Sequence, residues 1–347
     1  MKSLQVTHLE IPQLIESIAI RDRVTMALGW LIDSLSLVFR SSDAATMHGW
    51  RYTFEGKHRQ AVRLLRSALR RNPFDYNAMV ALAESLWEIG GHGDEALDLA
   101  RAAVHLESRS VDALRTLGKI LAEQRLFAEA LGPLETVASE SDDSVTLLYL
   151  GGSLRGLGRK DEALAAFRRA VAASPQDSHA HEWLGNMLDE LGRHGEAIEP
   201  LSMAIKLGSR SGDLRNTLGA CLGELGRYEE AIPVLEEAVR LLEENENPLM
   251  NLGLVMGKLS RWSEALDCFG KAQKLRPDNP SGFGCAGEAL VALGRWEKAR
   301  EAFDSALGLD PDYFDHDPDK KAAWNRLSSQ VNEGRANSEL RNRGHVN

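Results

Sequence analysis

The chain has little of what most enzymes, secreted scaffolds and nucleic-acid binders depend on. Its 347 residues hold three cysteines, Cys221, Cys268 and Cys285. They are odd in number, far apart and in no CxxC pattern, which excludes a disulfide framework and a paired-cysteine zinc motif. They read as reduced helix-packing residues. Aromatics make up 6% of the chain. No run approaches the ~20 apolar residues of a membrane span. Met1 to Glu10 carries no apolar signal-peptide core. The expected compartment is therefore the cytoplasm, with no transmembrane segment. Basic charge is also short, with 41 Lys and Arg against 51 Asp and Glu, a net charge of −10. A nucleic-acid surface needs a basic excess, so no nucleic-acid partner is expected. A helical-repeat RNA reader fails on the same ground.

Chemistry-bearing patterns are scarce too. His179-x-His181 is the close histidine pair. Its i, i+2 spacing puts the rings on different helix faces, so one helix cannot offer both to a metal. No glycine-rich phosphate loop follows a strand-like stretch. Acidic pairs such as Glu229-Glu230 and Glu243-Glu244 stand at helix ends and read as solvated faces. The sequence thus predicts no catalytic residue, no cofactor-binding residue and no metal ligand.

What the chain does have is a period. In Ser144 to Asp177, Val145, Leu147, Leu148, Leu150 and Leu154 give one helical stripe. Ala163, Leu164, Phe167, Ala170 and Val171 give a second, after a turn at Leu157-Gly158-Arg159. Each helix is too short to be stable alone in water, so each must pack on a neighbour. Ala163 recurs in the same context at Ala61, Ala96, Ala130, Ala197, Ala231, Ala265 and Ala299. The spacing is 33 to 35 residues. Seven residues after each marker stands a second small residue, Val137 in one unit and Ala in the rest. Twelve residues before seven of the markers stands Gly49, Gly118, Gly151, Gly185, Gly219, Gly253 or Gly287. The eighth unit has Ala83 thirteen before, because Gly90-Gly91-His92-Gly93 lengthens its turn. These small residues are expected to let helix axes approach closely, with Phe167, Phe269 and Phe303 filling the space beside them. A bulky residue at Gly185 would overpack the contact at a cost of ~1–3 kcal/mol. Pro73, Pro175, Pro277 and Pro311 are expected to end second helices.

The period, the Leu184-Gly185 pair, Gly49-x-x-Tyr52, Ala163-x-x-x-Phe167 and the closing prolines resemble the tetratricopeptide repeat family. Eight units cover residues 42–312, the weakest being the one after Val111. The resemblance implies an all-α, right-handed superhelical solenoid, whose first helices line a concave groove. It also implies a protein-binding role.

Residues 1–41 stand outside the repeat. Ile11, Leu14, Ile15 and Ile18 form one stripe, and Val24, Leu28, Leu31, Leu35 and Val38 another. A helix apolar on more than one side is buried on more than one side. This segment is expected to cap the first unit. Self-association through residues 11–40 is the second role open to it, and membrane-surface binding a third. Residues 313–333 are expected to form a C-terminal capping helix carrying Ala323, Trp324 and Leu327. Residues 334–347 are polar and aperiodic and are expected to be disordered.

The family's geometry would place Trp50 and Trp87 in the groove, then Arg115, Lys119, Tyr149 and Arg155. Beyond them it would place Glu182, Trp183, Asn186, Asp189, Asn216 and Asn251. Such a groove is aromatic at one end, basic in the middle and acidic beyond. Three cations facing one way favour an acidic and apolar peptide or helix as partner. The competing reading pairs them with acids such as Asp112 and Glu123, and lets the indoles pack into the next unit. A carboxylate-clamp role does not follow, because Ser281 and Cys285 stand where that clamp needs Lys and Arg. Tyr228, Trp262 and Trp296, each just after a turn arginine, are expected to pack the turns. The expected function is a non-enzymatic scaffold or adaptor. The alternative is a targeting or regulatory subunit of a multi-chain enzyme assembly, such as a transferase whose catalytic part is a separate chain.

Overall fold

The computed structural model describes residues 44–315, together with Trp324, Asn325 and Ser329. Segment 1–41, most of 313–333 and the 334–347 tail lie outside the described residues. Among the described residues there are sixteen helices and no strand. They form two compact units, divided after Ala173.

The first unit contains α1 (Ala44–Phe54), α2 (His58–Arg71), α3 (Tyr76–Ile89), α4 (Gly93–Leu106), α5 (Val111–Glu123), α6 (Phe127–Glu140), α7 (Ser144–Gly156) and α8 (Lys160–Ala173). The second contains α9 (Ser178–Glu190), α10 (His194–Lys206), α11 (Gly212–Glu224), α12 (Tyr228–Leu241), α13 (Asn247–Lys258), α14 (Trp262–Leu275), α15 (Pro280–Ala292) and α16 (Trp296–Leu309). Odd-numbered helices are the first of each pair and even-numbered the second. Within each unit every second helix packs on the first helix of its own pair and on that of the next. Consecutive first helices also touch, α1 with α3, α3 with α5 and α5 with α7 in one unit. The same holds for α9 with α11, α11 with α13 and α13 with α15 in the other.

Local chemistry sets the helix ends. Most first helices open on a short polar cap: Asp75, Ser110, Asp143, Asp177, Ser211 and Asn279 each accept a hydrogen bond from a backbone N–H two or three residues on. The second helices α2, α8, α14 and α16 stop two residues before Pro73, Pro175, Pro277 and Pro311. The residue before proline is pushed out of the helical region, so the chain leaves the helix there. Between paired helices, the residue five before each marker alanine has a positive φ. It is glycine in six pairs, among them Gly158, Gly192, Gly226 and Gly294. In the other two it is Arg125, at 62°, and Ser260, at 60°.

The repeated glycines make room for large side chains of the paired helix, Phe167, Phe269 and Phe303 among them, and at Gly185 a Cβ would also stand 3.3 Å from the Leu201 backbone N. A Cβ added at Gly118, Gly151, Gly185, Gly253 or Gly287 would stand 2.5–2.7 Å from a side-chain atom of Leu134, Phe167, Leu201, Phe269 or Phe303. Gly49 and Gly219 stand in the same relation to Leu65 and Leu235. In every case that large residue lies four after the marker alanine. The glycine is thus a socket for one side chain from the paired helix. Each of those large residues is 3% exposed or less. Where the first helix carries Ala83 instead, the position four after the marker is Ala100, and both are fully buried. The small marker residues, Ala61, Ala163, Ala197 and the rest, are themselves fully buried.

At the far end of the second unit Phe303 meets Phe314 edge-on, with ring centroids 5.6 Å apart. Trp324 lies 6.2 Å from Phe303 and 6.5 Å from Phe314. Of the expected turn-packing aromatics, Trp262 is partly buried, with a ring atom 3.0 Å from where a Gly257 Cβ would be. Trp296 is 46% exposed. The arginine before Tyr228 and Trp262 makes a two-pronged bond to the glutamate three residues on, Arg227 to Glu230 and Arg261 to Glu264. Arg159–Glu162 and Arg193–Glu196 repeat the arrangement.

Candidate functional site

In the first unit the first-helix faces are joined from pair to pair by side chains. Trp87 on α3 donates its indole N–H to Oε2 of Glu123 on α5. Tyr149 on α7 donates its hydroxyl to the other oxygen, Oε1, at 2.6 Å. Glu123 therefore links three successive first helices. Burial, the bond to Glu123 and the charges of Glu123, Glu88 and Glu84 push the Tyr149 phenol well above its ordinary range. Lys119 Nζ donates to Glu88 Oε1 at 2.6 Å, again from α5 to α3. Glu84 sits deeper. Burial raises its carboxyl above the usual carboxylate value, against the pull of Lys119 and Arg115.

In this arrangement the cations expected in the middle of the groove have acidic neighbours. Arg115 is paired with Asp112 and stands 3.7 Å from Asp143 Oδ2. Lys119 is paired with Glu88. Of the three expected cations, Arg155 is exposed and Arg115 and Lys119 are half-buried. Around them stand five carboxylates, Glu84, Glu88, Asp112, Glu123 and Asp143, so acids outnumber cations here. Asp112 pairs with Arg115 along one helix, while Glu88 and Asp143 reach Lys119 and Arg115 from the neighbouring pairs.

The aromatic end is also partly committed. Trp50 is half-buried, packs on the cluster of Val80, Ala103 and Ala113, and stacks on Phe54 at 5.3 Å. Phe54 is 49% exposed. Trp87 is half-buried, and its indole N–H is held by Glu123 of α5.

In the second unit Trp183 is 37% exposed on α9. Glu182 accepts a bond from Ser209 Oγ at 3.3 Å. Asn186 is half-buried, and its Oδ1 has no hydrogen-bond partner among the described residues. Asn251 on α13 donates to Asn216 Oδ1 on α11 at 2.9 Å, so these two amides are held by each other. Asp189 does not stand alone in the groove. Its Oδ1 lies 3.0 Å from His194 Nδ1 and 3.1 Å from Cys221 Sγ. The trio draws on three helices, so no spacing within a single helix announces it. One signal was present: Cys221 follows Asp189 by 32 residues, close to one repeat period. Burial and the Asp189 carboxylate push the Cys221 thiol far above its ordinary value. A nucleophilic thiolate needs the opposite shift. His181 of the sequence's histidine pair is buried, with Nε2 3.0 Å from the Pro175 carbonyl oxygen. All three cysteines are free and buried. No helix of the described residues is long and apolar enough to cross a membrane.

The sequence profile of the tetratricopeptide repeat matches residues 46–103, 90–144, 150–213 and 250–314, and a second profile of the same name matches 212–245. With helix pairs at that period over most of its length, the chain belongs to the tetratricopeptide repeat family, and its fold is an all-α helical-repeat solenoid. No curated protein matches it. Among solved structures it is similar to YrrB, described as a tetratricopeptide repeat protein with an unusual peptide-binding site. That likeness has 25% identity and a TM-score of 0.46, over 54% of this chain and 93% of that one. It is similar to MamA from Desulfovibrio magneticus RS-1 at 21% identity and a TM-score of 0.47, over 50% of this chain and 97% of that one. A third likeness is to the Cut9–Hcn1 hetero-tetramer of APC/C, at 18% identity and a TM-score of 0.47. It covers 85% of this chain and 58% of that one.

Proposed function

We propose that the protein is a non-enzymatic interaction scaffold that holds a peptide or helix of a partner protein against its row of first helices. The observation that carries this reading is the chain Trp87–Glu123–Tyr149, three side chains from three successive first helices bonded together. Such a surface is held in one geometry before any partner arrives, which lowers the ordering cost of binding. Trp and Tyr are also the residues that most often anchor an interface.

The charge balance shifts the partner's chemistry from the one expected. With Arg115 and Lys119 neutralised and carboxylates in excess, the favoured segment carries Lys or Arg beside a large apolar side chain. The test is capture of partners from the native cell by the full chain and by the double variant Glu88→Lys, Glu123→Lys. A partner retained by the wild type, lost by the variant and released by rising salt supports the reading. Equal retention by a variant that melts like the wild type overturns it. A captured catalytic chain would assign the protein to an enzyme assembly.

A further inference from the structure

Asp189, His194 and Cys221 come from three helices of the second unit: the last turn of α9, the first residue of α10, and the last turn of α11. Their donor atoms converge. Oδ1 of Asp189 is 3.0 Å from Nδ1 of His194 and 3.1 Å from Sγ of Cys221, and Sγ to Nδ1 is 3.9 Å. Among the described residues this is the one group of three such side chains drawn that close together. We propose that this trio is a binding site for a divalent transition-metal ion of the zinc type, held by one sulfur, one nitrogen and one oxygen.

The geometry suits a tetrahedral ion. Zinc holds sulfur at about 2.3 Å, and nitrogen and oxygen at about 2.0–2.2 Å, which sets donors at tetrahedral angles about 3.3–3.6 Å apart. The three separations here straddle that range. Each lies within a few tenths of an ångström of it. The chemistry suits the same class of ion. A thiolate and a carboxylate balance a double positive charge, and imidazole adds a neutral donor. Sulfur and nitrogen donors select zinc, cobalt or nickel over magnesium and calcium, which take oxygen. Access is available as well. Cys221 is fully buried and forms the floor. The His194 and Asp189 side chains are 29% and 34% exposed and leave the outer side open. The fourth position therefore faces solvent, for water or a donor from a partner. Without an ion the same atoms hold one another, with the thiol and the imidazole N–H both donating to one carboxylate oxygen. Binding exchanges those two hydrogen bonds for three metal bonds, releases the thiol proton to solvent and moves the imidazole proton from Nδ1 to Nε2. The ion would tie the turn between α9 and α10 to the next first helix.

The experiment uses the full-length chain, reduced and stripped with a chelator, then titrated with zinc chloride by calorimetry and with cobalt chloride by absorption. The expected result is one ion per chain, a higher melting temperature with zinc, and a thiolate-to-cobalt charge-transfer band. Asp189→Asn, His194→Gln and Cys221→Ser each weaken zinc binding at least tenfold, and Cys221→Ser abolishes the band. His194 lies at the partly exposed edge, so His194→Gln keeps the test decisive if Cys221→Ser fails to fold. A folded wild-type chain that takes up no ion overturns the site. So does uptake that all folded variants share with the wild type, which places the ion elsewhere.

Discussion

Gly151 on α7 faces Phe167 on α8 so closely that a Cβ added at the glycine would lie 2.5 Å from the phenylalanine ring. Phe167 is fully buried and cannot swing out to solvent. Gly151→Ala is therefore expected to overpack the pair by ~1–3 kcal/mol, offset by about 1 kcal/mol of helix propensity. In a Phe167→Ala background the same substitution should become stabilising, because the obstacle is gone. Gly152, one residue on, has open space around its Cβ position, and Gly152→Ala should stabilise by up to ~1 kcal/mol. Denaturant melts of the four variants decide this. An equal loss from Gly151→Ala in both backgrounds would show that Phe167 is not the cause.

Ser260 holds a φ of 60° at a position where six of the eight helix pairs have glycine. A side chain in that region costs energy that glycine avoids. Ser260→Gly and Arg125→Gly are each expected to stabilise by about 0.5–1 kcal/mol, while Gly226→Ser should destabilise by a similar amount. Thermal melts of the three single variants check the signs.

Glu84 makes stability depend on pH in a direction opposite to most carboxylates. Burial raises its folded-state value above the ordinary 4.5, so the native state holds this proton more tightly than the unfolded chain. The penalty is absent below 4.5, grows as pH rises through the folded value, and is complete above it. Glu84→Gln should therefore raise the melting temperature at neutral pH relative to wild type. The gain should shrink as pH falls below 4.5. A gain that is constant with pH would mean that the substitution acts through packing and not through the charge.

Trp87 and Tyr149 share one acceptor, the Glu123 carboxylate. Tyr149→Phe and Trp87→Phe should each cost about 0.5–1.5 kcal/mol. Each should cost much less once Glu123 is replaced by alanine. Additive losses in the Glu123→Ala background would dissolve the three-helix link and, with it, the preset surface on which the proposed function rests.

The period of 33–35 residues, the alternation of first and second helices and the proline stops were all legible in the chain, because each depends on contacts a few residues apart or on the backbone limits of Gly and Pro. The aromatics and polar residues of the first-helix faces could also be named from the pattern. Their partners could not. Lys119 meets Glu88, Tyr149 meets Glu123 and Cys221 meets Asp189 at separations of 26 to 32 residues. Those meetings depend on how far one helix is shifted and turned against the next. That offset is decided where each second helix packs on the first helix of the next pair. The residue list therefore determined which side chains stand on the surface. Only the tertiary arrangement decided which charges are neutralised, which aromatics are tied down, and that an aspartate, a histidine and a cysteine from three helices converge on one point.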